Sequence, residues 1–549
     1  MGERSRDERL GAGITRRRFL GALTAGSAWV ALSGSLGCGP TDRSRAAAAT
    51  NGLGEARAFR SRPDLRPPAI EVNTNVSGTA PGHIFIFPKK GPGEKAATQD
   101  APLIIDSSGE PVWFHPLRDK EADAFNFGVQ TYKGEEVLTW WEGRHTGYGQ
   151  GEYVICDRSY QQIRRFGAAN GLEGGHHEFL ITPEDTALIT IYNKVQRDRL
   201  PVGDPVDGNV LDGIAQEVDI ESGEVLFEWH SLEHVGLDES YYQPPPDLED
   251  AFDYFHINSI DVYDEDHLLI SSRNTCTVYK IDRKTGEVVW RLGGKKSSFE
   301  MGEGTHFAFQ HDVRRQSDGT ITLFDNGNVN KEKQSRAIVV DIDEDAMKAT
   351  LAREYTHPDK LLSETQGSVQ TLPNGNVFVG WGSAPVFSEF SHDGELSFSA
   401  AFPTESESYR SFRFPWSGQP TDDPAMVAEL GAEDEVTIYA SWNGAMEVAT
   451  WQVLAGTGPN KLRPLDSTPR TGLRDRHHGT HHRALRRPQG HQRVGQSARL
   501  HQGDQAGTQR LEPSRASTEP RPHQLPARVM DRLVYPSYVQ KTEKAHFPT

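Results

Sequence analysis

Three histidines open equivalent segments of a repeating pattern: His177 in HHEFLITPEDTALIT, His256 in HINSIDVYDEDHLLISSR and His311 in QHDVRRQSDGTITLF. A lone imidazole is more often structural or solvated than reactive, and the chain holds 21, so position in the repeat carries the argument. Imidazoles at one place in successive copies of a sheet converge when those copies surround an axis. Two further side chains indicate what would sit among them. Asn258 lies two residues after His256, so an extended chain puts it on the same face, and Arg273 in SSRN ends the returning strand. A planar guanidinium with a neutral amide donor suits an anion carrying several oxygens. The competing readings are that each histidine caps its own strand and that Arg273 pairs with a surface carboxylate. His176, beside His177, should face away, since side chains on a strand alternate.

The elements that must position these residues recur six times from about residue 80. Each copy has a β-run, a turn, and a second run often ending in Trp; a loop then leads to another apolar strand. The first parts are Leu103 to Trp113, Tyr153 to Phe166, Ile214 to Trp229, Val278 to Trp290, Ala337 to Tyr355 and Val386 to Phe398. The second parts begin near Phe127, His177, His256, His311, Gly367 and Tyr409. Gly109-Glu110, Gly223-Glu224, Gly286-Glu287 and Gly394-Glu395 occupy equivalent turns, where glycine supplies a positive φ. The copies start about 49 to 64 residues apart, the spacing of four-stranded blades with long loops. Since a lone hairpin cannot bury its apolar face, the repeats are expected to pack radially. The expected fold is all-β: a six-bladed β-propeller over residues 80–427, with an array of β-sandwiches as its rival.

An incomplete immunoglobulin- or fibronectin-like β module is expected to follow at 428–470. Its signals are EVTIYASW (Glu435 to Trp442) and MEVATWQVL (Met446 to Leu454), with Asn443-Gly444 between them as a hairpin turn. Residues 471–530 then carry eleven Arg and seven His but no Phe, Trp, Tyr, Ile or Lys, and no strand or helix period survives there. We read 471–549 as a disordered tail produced by a frameshift soon after Arg470. The rival readings are a metal tract around His477, His478, His481 and His482 and a basic interaction arm.

At the other end, Thr15-Arg16-Arg17-Arg18-Phe19-Leu20 precedes a small-residue apolar stretch reaching Leu36, the layout of a twin-arginine export signal within residues 1–38. The stretch is too weak and short to stay in a bilayer. Cys38 follows Ser35-Leu36-Gly37, so a lipid anchor is a further expectation, with residues 39–79 as linker and entry strand and 40–68 as a tether. The expected location is periplasmic or extracytoplasmic. The composition narrows the function classes over all 549 residues. Only 36% are hydrophobic while Gly and Pro number 53 and 33, which disfavours helical bundles and polytopic membrane proteins. A formal charge of −18 leaves no basic face for nucleic acid. Three cysteines exclude a disulfide-dense scaffold or a four-thiolate zinc site; the pairing of Cys156 and Cys276 stays open.

The strings GHHEFLITPEDTALIT, GEVLFEWHSLEHV, DYFHINSID, LLISSRNT, YKIDRKTGEVVWRLGGKKSSF, FQHD, LFDNG, QGSVQTLPNGNVFVGWG and SYRSFRFPWSG resemble the bacterial and fungal branch of the arylsulfotransferase family over about residues 80–455. The resemblance implies a six-bladed propeller that moves a sulfuryl group from a phenolic sulfate ester to a phenol, with no cofactor, metal or nucleotide sulfate. It implies His311 as the nucleophile that becomes sulfohistidine, with His177, His256, Asn258 and Arg273 around the transferred group. The chemistry agrees, because a neutral imidazole can attack sulfur and hand the group on in two steps. Arg273 and Asn258 would stabilise charge on the sulfuryl oxygens, and His177 or His256 would move the phenol proton. Asp312 should face the other way on its strand and stays outside the site.

The alternatives are a three-histidine metal-dependent propeller enzyme, which Arg273 opposes as a fixed cation, a quinone-dependent dehydrogenase, and a non-catalytic exported binding propeller. Phenol selectivity is expected in the loops Lys194 to Asp212 and Leu237 to Asp253. The partners expected are a small aryl sulfate and a phenol, with no nucleic acid; the natural pair and the oligomeric state are not legible.

Overall fold

The computed structural model describes residues 56–469, apart from short segments at 91–97, 146–147, 204–206, 248, 328–330, 332, 404–405, 431–435 and 457–461, together with strands at 474–478 and 532–537. The twin-arginine segment, Cys38 and the start of the linker lie outside the described residues.

Antiparallel sheets of four strands fill residues 83–414. Sheet 2 holds Asp123–Tyr132, Glu135–His145, Gly149–Cys156 and Gln162–Phe166. Sheet 3 holds Gly174–Ile181, Thr186–Asp198, Asp207–Asp219 and Val225–His230. Sheet 4 holds Ile257–Val262, His267–Ser272, Thr277–Asp282 and Val288–Gly293. Sheet 5 holds His311–Arg315, Ile321–Asp325, Arg336–Asp343 and Lys348–Tyr355. Sheet 6 holds Ser368–Thr371, Val377–Gly380, Val386–Phe390 and Leu396–Ala401, with Glu71–Asn75 added outside. Sheet 1 combines Ser411–Phe414 with His83–Ile86, Leu103–Ile105 and Pro111–Phe114. In sheets 2 to 6 the first two strands come from one predicted second part and the last two from the next first part. In sheet 1 only Ser411–Phe414 comes from a predicted second part, and His83–Ile86, which lay in none of the predicted parts, stands between it and the first part Leu103 to Trp113.

The first strands touch in a closed cycle: sheet 1 on 2, 2 on 3, 3 on 4, 4 on 5, 5 on 6, and 6 on 1. Each neighbouring pair buries its own apolar cluster. Phe85 and Trp113 meet Phe127 and Trp140; Tyr153 meets Phe179; Trp229 meets Tyr279; Val278 meets Leu323; Phe324 meets Trp381; and Phe387 meets Ile84 and Phe114. Such radial burial supplies what one amphipathic sheet cannot. Sheets 2 and 3 approach closely enough for Gly174 to pair with Gly151. A Cβ on Gly174 would lie 2.8 Å from the Gly151 carbonyl oxygen, so only glycine fits. The predicted Gly-Glu turns hold, with φ of 83°, 73°, 76° and 88° at Gly109, Gly223, Gly286 and Gly394. Asp106 and Asp282 fix two of them by accepting turn N–H groups through Oδ1.

Four expectations about the flanks change. Residues 56–68 are no loose tether, because Phe59 and Leu65 are buried in the cluster between sheets 6 and 1. The segment 194–212 is no simple loop, because Thr186–Asp198 and Asp207–Asp219 pair as one long hairpin. Asn443-Gly444 does not turn a hairpin. Val436–Ser441 joins Ala425–Leu430 and Arg474–His478, while Thr450–Gly456 joins Leu462–Pro469 and Arg532–Ser537. Asn443 instead mimics a strand: its Nδ2 donates to Phe114 O at 2.8 Å, and its Oδ1 accepts from Phe114 N at 2.9 Å. Finally, two pieces of the 471–549 segment are strands, one in each sheet of this module. Backbone pairing at a sheet edge does not depend on an apolar side-chain pattern. The rest of that segment lies outside the described residues.

Candidate active site

The closed cycle brings His177, His256, His311 and Arg273 together. His177 and His256 have ring centroids 4.8 Å apart. Tyr409, opening the last repeat, bridges to the third histidine, with its ring 5.8 Å from His177 and 6.5 Å from His311. Its hydroxyl donates to His177 O at 3.1 Å, and Tyr192 closes the far side, 5.1 Å from His177 and 5.6 Å from His256.

His311 is buried, and its hydrogen bonds define its tautomer. Nδ1 lies 2.7 Å from Asn326 Oδ1 and 3.1 Å from Phe309 O. Asn326 is itself oriented, because its Nδ2 donates to Ser363 O and Gln366 O. Two oxygens facing Nδ1 require a proton there, which leaves the lone pair on Nε2. Nε2 meets only a long 3.3 Å contact from the Gln366 N–H. Burial, reinforced by the Arg273 cation, holds the His311 pKa well below the usual imidazole range, so the ring is neutral at pH 7.

Arg273 is buried beside it. NH1 donates to Tyr242 OH at 3.0 Å and Asn274 Oδ1 at 2.8 Å, and NH2 donates to Glu364 O at 3.2 Å. The guanidinium lies 5.0 Å from the Phe309 ring and 5.5 Å from that of Tyr242. Every one of these partners is neutral, and among the described residues no ion pair of Arg273 supports the rival reading of a surface carboxylate partner.

His256 departs from an extended conformation, with φ of 56°, so counting two residues onward does not preserve a face. Asn258 is buried, and its Nδ2 donates to Gln310 O at 2.6 Å, strapping sheet 4 to sheet 5. The face-sharing argument for Asn258 therefore fails. His256 has a partner that the sequence reading missed, Asp253, whose Oδ2 lies 2.5 Å from Nδ1. The prediction that His176 faces away also fails. The ladder slips between Gly174 and Phe179, and the His176 and His177 rings lie 3.9 Å apart.

Beneath the histidines runs a buried network of two carboxylates and two guanidiniums. Glu178 Oε1 meets Arg410 NH1 at 2.9 Å, and Glu178 Oε2 meets Arg314 NH2 at 2.7 Å. Asp312 Oδ1 meets Arg314 NH2 at 2.8 Å, and Asp312 Oδ2 accepts from Val369 N at 2.9 Å. Asp312 thus serves the network and not the pocket, as expected. The signal for this network was legible: Glu178, Asp312 and Arg410 each directly follow a pocket residue, giving His-Glu, His-Asp and Tyr-Arg at the openings of three repeats. Asn326 lay in the LFDNG string without an assigned role. Cys156 and Cys276 are buried and free, and among the described residues no His, Cys, Asp and Glu group forms a metal site.

An all-β ring of sheets with imidazoles and an arginine gathered at its centre defines the class of protein. Residues 128–403, half of the chain, match the arylsulfotransferase (ASST) family, and the chain belongs to that family. The match includes His177, His256, Asn258, Arg273 and His311. Membership supports arylsulfotransferase activity in general, with aryl sulfates and phenols as the small-molecule substrates. No curated protein matches the chain. Among solved structures, a protein of unknown function from Bacteroides caccae is similar at 13% identity and a TM-score of 0.35, over 60% of this chain and 98% of that one. A functionally unknown protein from Desulfotomaculum acetoxidans DSM 771 is similar at 9% identity and a TM-score of 0.32, over 61% and 100%. A streptogramin B lyase structure is similar at 12% identity and a TM-score of 0.28, over 59% and 84%.

Proposed function

We propose that the sheets are the six blades of one propeller and that its centre transfers a sulfuryl group by a ping-pong route through His311. The observation that carries the reading is the pairing of a neutral imidazole, with its lone pair on Nε2, with a buried arginine whose partners are all uncharged. A buried guanidinium without a carboxylate is costly unless an anion arrives, and a sulfate monoester supplies one.

In the first half-reaction the Nε2 lone pair attacks sulfur, an N–S bond forms, and the bond from sulfur to the aryl oxygen breaks. The departing oxygen takes the Nε2 proton of His256, which enters the cycle as the imidazolium with its Nδ1–H donated to Asp253, and which the second half-reaction restores. Asn326 and Phe309 O keep the Nδ1 proton of His311 in place throughout. Arg273 stabilises the sulfuryl oxygens, and the Gln366 N–H is released from Nε2 by the attack. In the second half-reaction the acceptor phenol gives its proton to His256, its oxygen attacks sulfur, and the N–S bond breaks. Protons balance over the cycle. His256 rather than His177 is the acid–base in this scheme, because it has the orienting carboxylate and the more accessible ring. Export by the twin-arginine route remains part of the proposal on the sequence alone.

The test is brief exposure of the protein to an activated aryl sulfate, followed by mass spectrometry of the His311 peptide. Added sulfuryl mass there, lost in His311→Ala together with all turnover, is the expected result. Turnover near the wild-type level in His311→Ala would overturn the assignment.

A further inference from the structure

The reaction scheme leaves unused a set of aromatic side chains beside Arg273. Among the described residues eight large hydrophobic side chains are exposed, and only Tyr241 and Tyr242, at 48% and 43%, are aromatic. They sit in the Leu237–Asp253 segment and are held firmly. Tyr241 N donates to Asn274 O at 2.8 Å, Tyr242 N donates to Ser240 Oγ at 3.1 Å, and Lys295 Nζ donates to Asp238 O and Ser240 O. The Tyr242 ring flanks the Arg273 guanidinium, its hydroxyl accepts from NH1, and it stands edge-on to Phe309 at 5.8 Å and 89°. Phe309 holds a positive φ of 55°, uncommon for a bulky residue, and in that conformation its ring lies over Arg273 while its carbonyl faces His311. Leu362, also exposed, lies two residues before Glu364, whose carbonyl accepts from Arg273.

We infer that Tyr242 is the specificity-determining residue of the site, the wall that receives the aromatic ring of the ester while Arg273 takes its sulfuryl group. An anion receptor with an exposed, anchored aromatic face at its side fits a ligand with a charged head and a flat apolar body. A bare anion or an alkyl ester meets the same arginine but gains little from a flat face. The Tyr242 hydroxyl acts separately from the ring, holding NH1 together with Asn274 and leaving Nε and the second N–H of NH2 for oxygens. This inference rests on the sulfuryl-transfer reading above.

The experiment compares full-length wild type, Tyr242→Ala and Tyr242→Phe. It measures KM for 4-nitrophenyl sulfate and the inhibition constant of inorganic sulfate. Tyr242→Ala should raise the aryl ester KM by roughly tenfold, the size of one lost aromatic contact, and leave sulfate inhibition within about threefold. Tyr242→Phe, which keeps the ring, should stay within about threefold on KM. An unchanged KM in Tyr242→Ala, or equal weakening of ester and sulfate, would overturn the inference. So would a Tyr242→Phe variant as impaired on KM as the alanine. Thermal melts of both variants report folding. Sulfuryl labelling of His311 in wild type separates the two failures: label present with KM unmoved sinks only Tyr242, whereas absent label sinks the reaction itself.

Discussion

Glu178→Gln removes one charge from the buried network while keeping shape and one acceptor. Glu178 is almost fully buried and faces Arg410 at 2.9 Å and Arg314 at 2.7 Å. At such separations and an effective dielectric near 20, each attraction is about 6 kcal/mol before solvation is counted. The substitution loses two attractions, relieves repulsion from Asp312, and leaves two guanidiniums facing one carboxylate. Burying ions offsets much of the gross attraction, and removal of one partner from a buried pair costs about 3 to 5 kcal/mol net. We therefore expect Glu178→Gln to lose about 3 to 5 kcal/mol in urea unfolding followed by tryptophan fluorescence. Glu178→Gln combined with Arg410→Met restores charge balance around Asp312 and Arg314, so the double variant should be more stable than the two single losses predict, by roughly 1 to 3 kcal/mol. A single variant within about 1 kcal/mol of wild type, or strict additivity, would refute the view that charge balance holds this centre together.

Burial keeps His176, His177 and His311 neutral, each pKa lying well below the ordinary value. Below pH 6.5 the unfolded chain takes up protons that the native chain refuses, so stability should be unaffected by these groups above that pH. It should fall beneath it by up to about 1.4 kcal/mol per pH unit for each histidine; a flat Tm from pH 7 to pH 5 would contradict this. Asp253→Asn should lower turnover by roughly ten- to a hundredfold with a poor phenolate leaving group and far less with an activated one, because it weakens the proton donor; equal losses on both esters would count against His256 as the acid. Asn443→Ala removes two hydrogen bonds to Phe114 and should cost about 1 to 3 kcal/mol, with faster hydrogen exchange at the Phe114 amide.

The repeats were legible because a two-strand phrase with a glycine turn leaves a mark in one dimension: every predicted first part, and every second part but the one near Tyr409, is a hairpin. The pocket histidines were legible for the same reason, since equivalence in the repeat becomes proximity around an axis. What failed was inference along a strand. His256 has a positive φ, and the ladder slips at Gly174 to Phe179, so alternation misplaced Asn258 and His176 although it placed Asp312 correctly. Asn443-Gly444 failed because its turn signal is local, whereas its partner, Phe114, lies 329 residues away. Asn326 could not be read because its role depends on a tautomer that only the folded site selects.

Sheet 1 takes its innermost strand, Ser411–Phe414, from hundreds of residues beyond its other three. Tyr409 and Arg410 are adjacent to that strand, so the clasp that shuts the ring also delivers the last pieces of the pocket. A ribosome-bound nascent chain ending near residue 400 should therefore hold most of its sheets and no working centre.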